Sequence, residues 1–259
     1  MDPQTTRALA QRLFDAAREQ RTVPMLTVEH PELTEDDAYA VQADLVALHE
    51  AAGARRTGWK LGLTSRAKQR EMGIDQPIVG VLLSSLVHDP ATPLDLAELS
   101  QPRAEPEIAF VLARDLAGAD VTEADVLDAT AGVAAAIEVL DSRYDHYKFT
   151  LPDVVADQTS AGRYLLGPEV PASGMDLRLV GCLISRNGEL AGTAAGAAVM
   201  GSPAGAVAWL VRWLAARGAG LRGGDVVLSG GLTAVVPLAP GDTVTAEIDR
   251  LGSVTLTCR

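Results

Sequence analysis

The sequence predicts an α+β fold in one domain, with a helical N-terminal portion over residues 1–55 and a β-rich remainder over 56–259. Three observations lead there. Before residue 55 the apolar residues recur at intervals of three and four, the spacing of a helix buried on one side. Beyond it they gather in short runs bounded by glycine, proline and other turn residues, as strands do. No repeat, low-complexity tract or linker interrupts the 259 residues.

Residues 4–20 predict a first helix, with Leu9, Leu13 and Ala16 or Ala17 on one face. Thr22-Val23-Pro24-Met25-Leu26 reads as an extended, mobile connection. A second helix opens at Thr34, where Asp37 completes a capping-box-like start. Its stripe is Ala38, Val41, Leu45 and Leu48, and Gly53 ends it.

The strands follow. Gly58 to Ser65 alternates Trp59, Leu61 and Leu63 with Lys60, Gly62 and Thr64, and Ser65 caps a short helix ending at Gly73. Pro77 to Leu83 and Arg103 to Leu112 are further strands, and Val121 to Asp125 opens a capped helix that feeds the buried strand Ala134 to Leu140. In the strand-rich last third, Asn187-Gly188 is a hairpin turn. Ser202 to Arg217 is an amphipathic helix with Val207, Leu210, Val211 and Leu214 inward. Asp225 to Gly231 is a strand running into a glycine turn, and Thr243–Ile248 with Ser253–Cys258 is a final hairpin turning at Leu251-Gly252.

Composition narrows the function. The chain is 47% hydrophobic but only 4% aromatic, so its core must be built mostly of Ala, Val and Leu. Acids outnumber bases 34 to 22, a formal charge of −12, and no Lys/Arg stripe forms. Nucleic acid is therefore not an expected partner. That field also repels a small anion, so an anion site needs local cations. Cys182 and Cys258 read as small buried hydrophobes, giving neither a disulfide framework nor a zinc motif. Met1-Asp2-Pro3-Gln4 does not begin a secretory signal, and no apolar run reaches the roughly 18 residues of a membrane span. A cytoplasmic protein with no membrane partner is the expectation. Gly218-Ala219-Gly220-Leu221-Arg222-Gly223 matches GxGxxG, but it follows a helix and precedes a strand, the reverse of the dinucleotide fingerprint. There is no P-loop, GxSxG elbow or HExxH.

Chemistry concentrates around Glu105 and Glu107, whose spacing of two places both on one strand face. Glu138 lies in the second apolar strand. Carboxylates are rarely buried without compensation, and a hard divalent cation held by oxygen ligands would serve all three. The plainer reading makes Glu105 and Glu107 the wet face of an edge strand marked by Pro106, which leaves Glu138 unexplained. Lys60, a lone cation among small neighbours, suits either a ligand site or an edge gatekeeper. The polar and aromatic segment Asp141 to Phe149 is the kind of loop in which sites are built, although His146 also reads as a surface histidine.

Taken together, Gly58 to Ser65, Glu105-Pro106-Glu107, Glu138-Val139-Leu140-Asp141-Ser142-Arg143 and Leu251-Gly252-Ser253-Val254 resemble the 2-keto-4-pentenoate hydratase and 4-oxalocrotonate decarboxylase family of the fumarylacetoacetate hydrolase superfamily. The motifs run in the family's order over nearly the whole chain. The resemblance implies a mixed β-roll and a Mg²⁺ or Mn²⁺ site ligated by Glu105, Glu107 and Glu138. It makes Lys60 the cation over a small anionic 2-oxo acid. Arg143 would bind the leaving carboxylate or brace the Glu138 loop, and Ser160 would hydrogen-bond the substrate or cap a helix.

Three segments are more similar to the decarboxylase branch: Ser142 to Phe149, Val154 to Asp157, and Gly230 to Pro237. Gln158-Thr159 departs from the family's usual Asn-Ala, and Pro106 from its usual Ala. The implied reaction is decarboxylation of 2-oxo-3-hexenedioate or a similar 2-oxo acid to 2-hydroxypenta-2,4-dienoate and CO₂. Tyr144, Tyr147 and Lys148 would then hold the second carboxylate. The alternative is 2-keto-4-pentenoate hydratase, and a third reading is a non-catalytic oligomeric partner, which would need no intact ligand set. A homo-oligomer, complexed with a partner hydratase, is the expected assembly.

Overall fold

A computed structural model describes residues 1–66, 69–70, 74 and 76–259. Three helices come first: α1 (Pro3–Arg18), α2 (Leu26–Glu29) and α3 (Glu35–Ala51). Asp2 caps α1, and Thr34 with Asp37 forms the capping box of α3. Leu9, Leu13 and Ala16 of α1 and Ala38, Val41 and Leu45 of α3 are buried in one cluster, while Leu48 packs at its margin. The connection between α1 and α3 is not loose. Val23 donates its N–H to the Arg143 carbonyl at 2.8 Å, and buried Leu26 begins α2. The helix expected from Ser65 to Gly73 falls largely outside the described residues.

Two sheets follow. The larger is mixed, in the order β2 (Ile78–Leu83), β1 (Arg56–Gly62), β8 (Val226–Leu228), β3 (Arg103–Leu112), β4 (Thr130–Leu140), β5 (Ala161–Leu166), with β9 (Val236–Pro237) also on β3. Among the described strands of this sheet only β1 and β8 pair in parallel. The smaller is antiparallel, in the order β11 (Gly252–Thr257), β10 (Thr243–Ile248), β6 (Gly181–Arg186), β7 (Glu189–Ala195). Its β6–β7 hairpin turns through Asn187 and Gly188, both at positive φ. Helix α4 (Glu123–Ala129), capped by Thr122 and Asp125, leads into β4, and α5 (Leu151–Ala156) leads towards β5.

The main core lies where the sheets and α6 (Pro203–Ala215) meet. Ile108, Phe110 and Ile137 of one sheet share a cluster with Ile184, Val244 and Leu256 of the other and with Val207, Leu210, Val211 and Leu214 of α6. By length and composition alone, Gly196–Ala215 is apolar enough to cross a membrane, which corrects the reading that no segment qualifies. Its inward face is nevertheless consumed by this core. Cys182 and Cys258 are free and buried, as read.

Candidate active site

Strand register builds the site. On the β3–β4 ladder Glu105 stands directly opposite Glu138, and Glu107 follows two residues on, on the same face. The three carboxylates offer oxygens within 4.8 Å of one another. Glu105, Glu107 and Glu138 are 7%, 0% and 1% exposed, so the wet-face reading does not hold. Nor is Pro106 on an edge. It pairs with Ile137 inside the sheet, and its carbonyl accepts the Leu232 N–H at 2.9 Å.

Strand β8 is short for a reason that concerns the acids. The chain leaves it at Leu228, and the Gly230 N–H then donates to Glu107 Oε2 at 2.6 Å. Gly230 has φ 116°, a conformation that side chains resist. A Cβ on Gly231 would lie 2.2 Å from Glu105 Oε2. Both glycines let backbone approach the carboxylates.

Lys60 is no edge gatekeeper. Strand β1 lies between β2 and β8, and the lysine is 1% exposed. Its Nζ lies 2.7 Å from Glu138 Oε2 and donates to the Thr159 carbonyl at 3.0 Å. One ammonium does not balance three acids. Burial, followed by the charges of Glu138 and Glu105, holds Glu107 well above the ordinary carboxylate range. Burial likewise pushes Glu138 up to about 7, against the opposing pull of Lys60. At an effective dielectric of about 20, like charges about 4 Å apart repel by about 4 kcal/mol.

The triad fits a divalent cation. Three carboxylates beside one ammonium carry two formal negative charges in excess. Glu107 Oε1 is buried without a hydrogen-bond partner among the described residues. Carboxylate oxygens are the donors that magnesium and manganese accept.

A cavity of about 240 Å³ opens beside the acids. Lys60, Gly62, Thr64, Glu105 and Ser160 line it together with apolar Leu63, Ile78, Leu140, Phe149, Val154 and Val235. Ser160 follows Gln158 and Thr159, and all three hold left-handed φ values of 51–58°. The hydroxyls of Thr159 and Ser160 are buried and have no hydrogen-bond partner among the described residues. Such backbone costs of order 1–3 kcal/mol per residue and persists where surrounding structure enforces it.

Arg143 is placed elsewhere. Its Nε pairs with Asp157, and its terminal nitrogens donate to the carbonyls of Ala161 at 2.9 Å and Asp157 at 2.5 Å. It braces the turn that presents Ser160 and does not line the cavity beside the acids. Tyr144 is also absent from that lining, with its hydroxyl donating to the Asp153 carbonyl at 3.0 Å. Lys148 and His146 are exposed. From that segment only Tyr147 and Phe149 reach the cavity. Sequence reasoning assigned no role to Arg103 or Thr159, although Arg103 stands two residues before Glu105 and so shares its strand face.

Comparison with known proteins agrees with this geometry. The family model for the fumarylacetoacetate (FAA) hydrolase C-terminal region matches residues 49–259. The chain belongs to the fumarylacetoacetate hydrolase family, and it has that family's fold. It is 42% identical over 259 residues to 2-hydroxyhexa-2,4-dienoate hydratase of Comamonas testosteroni, covering 98% of both chains. It is 39% identical over 248 residues to 4-oxalocrotonate decarboxylase of Pseudomonas sp. (strain CF600), covering 95% of this chain and 94% of the relative. The solved 4-oxalocrotonate decarboxylase from Pseudomonas putida G7, complexed with magnesium and adipate, superposes with a TM-score of 0.95 at 36% identity. That match covers 100% of this chain and 99% of the other.

Proposed function

We propose that this chain is a magnesium- or manganese-dependent lyase that decarboxylates 2-oxo-3-hexenedioate, or a similar 2-oxo acid, to 2-hydroxypenta-2,4-dienoate and CO₂. The observation that carries it is the buried triad of Glu105, Glu107 and Glu138 beside a cavity lined by Lys60. In this reading the three glutamates hold the cation. When bound, it supplies positive charge that draws electrons towards the substrate's 2-oxo oxygen.

Balance requires the bond to the terminal carboxylate to break, its electron pair to shift along the conjugated chain, and the 2-oxo oxygen to take up one proton. Lys60 keeps an ammonium beside that oxygen, where charge develops. The unpartnered Ser160 hydroxyl donates to the substrate's first carboxylate. Leu63, Ile78, Leu140, Phe149, Val154 and Val235 exclude water from the carbon chain.

The second reading, hydration of a 2-hydroxydienoate, is favoured by the 42% identity to the hydratase of Comamonas testosteroni. It needs an ordered water and a proton relay at the far end of the substrate. Among the described residues lining the cavity, Glu105 is the sole carboxylate and no histidine appears, which favours decarboxylation. Exposed Leu179, Leu183 and Leu190 support self-association as part of the same reading. Free, buried Cys182 and Cys258 suit a cytoplasmic setting.

The test supplies Mg²⁺ with 2-oxo-3-hexenedioate and with 2-hydroxypenta-2,4-dienoate in separate reactions. CO₂ release from the first without loss of diene from the second is expected. The reverse outcome would promote the hydratase.

A further inference from the structure

We infer that Arg103, stacked on Tyr147, recognises the second carboxylate of a dicarboxylic substrate and makes the cavity selective for diacids over monoacids. The inference rests on the decarboxylase reading above and names the residue that would set its substrate class.

An anion entering this cavity meets a protein of net charge −12 and a cluster of three acids. It needs local cations, and among the described lining residues there are two, Lys60 and Arg103. Lys60 is already engaged by Glu138 at 2.7 Å. Arg103 has no carboxylate partner among the described residues. Its guanidinium carbon lies instead 3.6 Å from the centroid of the Tyr147 ring, with both residues on the cavity wall. Stacking fixes the plane of a guanidinium while leaving its in-plane N–H groups free for bidentate recognition of a carboxylate.

Position agrees with chemistry. Arg103, Glu105 and Glu107 lie on one face of β3, so Arg103 is one strand repeat, about 6.8 Å, beyond Glu105. Five carbon–carbon bonds in an extended six-carbon diacid span about 6 Å. On the scale of that backbone spacing the two lengths match, so a substrate with its 2-oxo acid end at the glutamates can lay its other carboxylate towards Arg103. Leu140, directly opposite Arg103 on β4, and Val235 line the wall and offer no charge. Arg103 is only partly buried, and its positive charge is shared with the Tyr147 ring, so it attracts the carboxylate without a deeply buried ion pair that would oppose its loss as neutral CO₂.

Two unreactive probes isolate the contact: 2-oxohexanedioate and 2-oxohexanoate, identical except for the far carboxylate. Their binding is measured by calorimetry with Mg²⁺ present, for the parent, Arg103→Leu, Arg103→Lys and Tyr147→Leu. Arg103→Leu is expected to weaken the diacid on the order of 10- to 100-fold and the monoacid by less than about 2-fold. Arg103→Lys and Tyr147→Leu should recover part of the preference. Equal losses for both probes, or no loss for the diacid, would overturn the assignment. Manganese affinity and circular dichroism confirm that each variant is folded, and Arg103→Lys decides the matter if Arg103→Leu is not. Failure of the decarboxylase reading looks different: the parent releases no CO₂ from 2-oxo-3-hexenedioate, whatever its preference between the probes.

Discussion

Lys60 Nζ lies 2.7 Å from Glu138 Oε2, and both side chains are 1% exposed. Lys60 lines the cavity, where charge develops during the proposed reaction. Lys60→Met should lower kcat by about 10²- to 10³-fold, the scale of one lost charge-stabilising donor. Manganese affinity should not weaken, because the three glutamates remain. Steady-state kinetics and a Mn²⁺ titration read the two effects separately, and a full-rate variant would return Lys60 to a structural role.

The carboxylates work against one another until a cation arrives. Glu107→Gln and Glu138→Gln should each weaken Mn²⁺ binding at least about tenfold and abolish turnover. In the metal-free protein Glu107→Gln removes the burial cost of that carboxylate, so Tm should rise by a few degrees, whereas Glu138→Gln strands the buried Lys60 ammonium and should lower Tm. A Glu138→Gln protein that titrates Mn²⁺ like the parent would show the site to be misassigned.

Acidity gives a third expectation. Burial pushes Glu138 up to about 7 in the folded state, above its ordinary value near 4.5. Between these values the folded, metal-free protein holds more protons than the unfolded chain, so its stability falls as pH rises through that window. Metal requires deprotonated carboxylates, so affinity should climb through about pH 7 as Glu138 ionises and go on rising until Glu107, also pushed up by burial, has lost its proton. Urea denaturation and calorimetry at several pH values measure both slopes, and Glu138→Gln should make each shallower.

The buried pair Arg143–Asp157 answers to stability first. Burial pushes Asp157 up to about 6 despite the guanidinium beside it. Asp157→Asn would strand the arginine's charge, at a cost of about 3–5 kcal/mol in chemical denaturation. Activity should fall too, because the turn through Gln158, Thr159 and Ser160 hangs from this pair. A variant as stable as the parent would show that Arg143 finds another partner.

Much of this was legible in the residues. Helix caps at Thr34 and Thr122, the Asn187-Gly188 turn and the period-two spacing of Glu105 and Glu107 are local signals, and the structure keeps each. Side-chain destinations were harder. Nothing local distinguishes Tyr147, on the cavity wall, from Tyr144, three residues earlier and turned into the helical cluster. Arg143 followed the acids in sequence, yet Asp157, fourteen residues on, claims it. The pairing of Lys60 with Glu138 joins strands separated by β8 and β3, an order that sequence proximity does not encode.

The helical cluster has a consequence for how the chain is born. Leu9, Leu13, Val41 and Leu45 leave the ribosome early, but Tyr144, Val154 and Val155, which complete their cluster, emerge about a hundred residues later. At about 5–20 residues per second α1 and α3 wait several seconds with part of their apolar face uncovered. The same late arrivals belong to the segment that carries Tyr147 and leads to Ser160. Docking of the nascent helices and shaping of the cavity thus draw on the same late segment, and a chaperone that shields the first fifty residues until that segment emerges serves both.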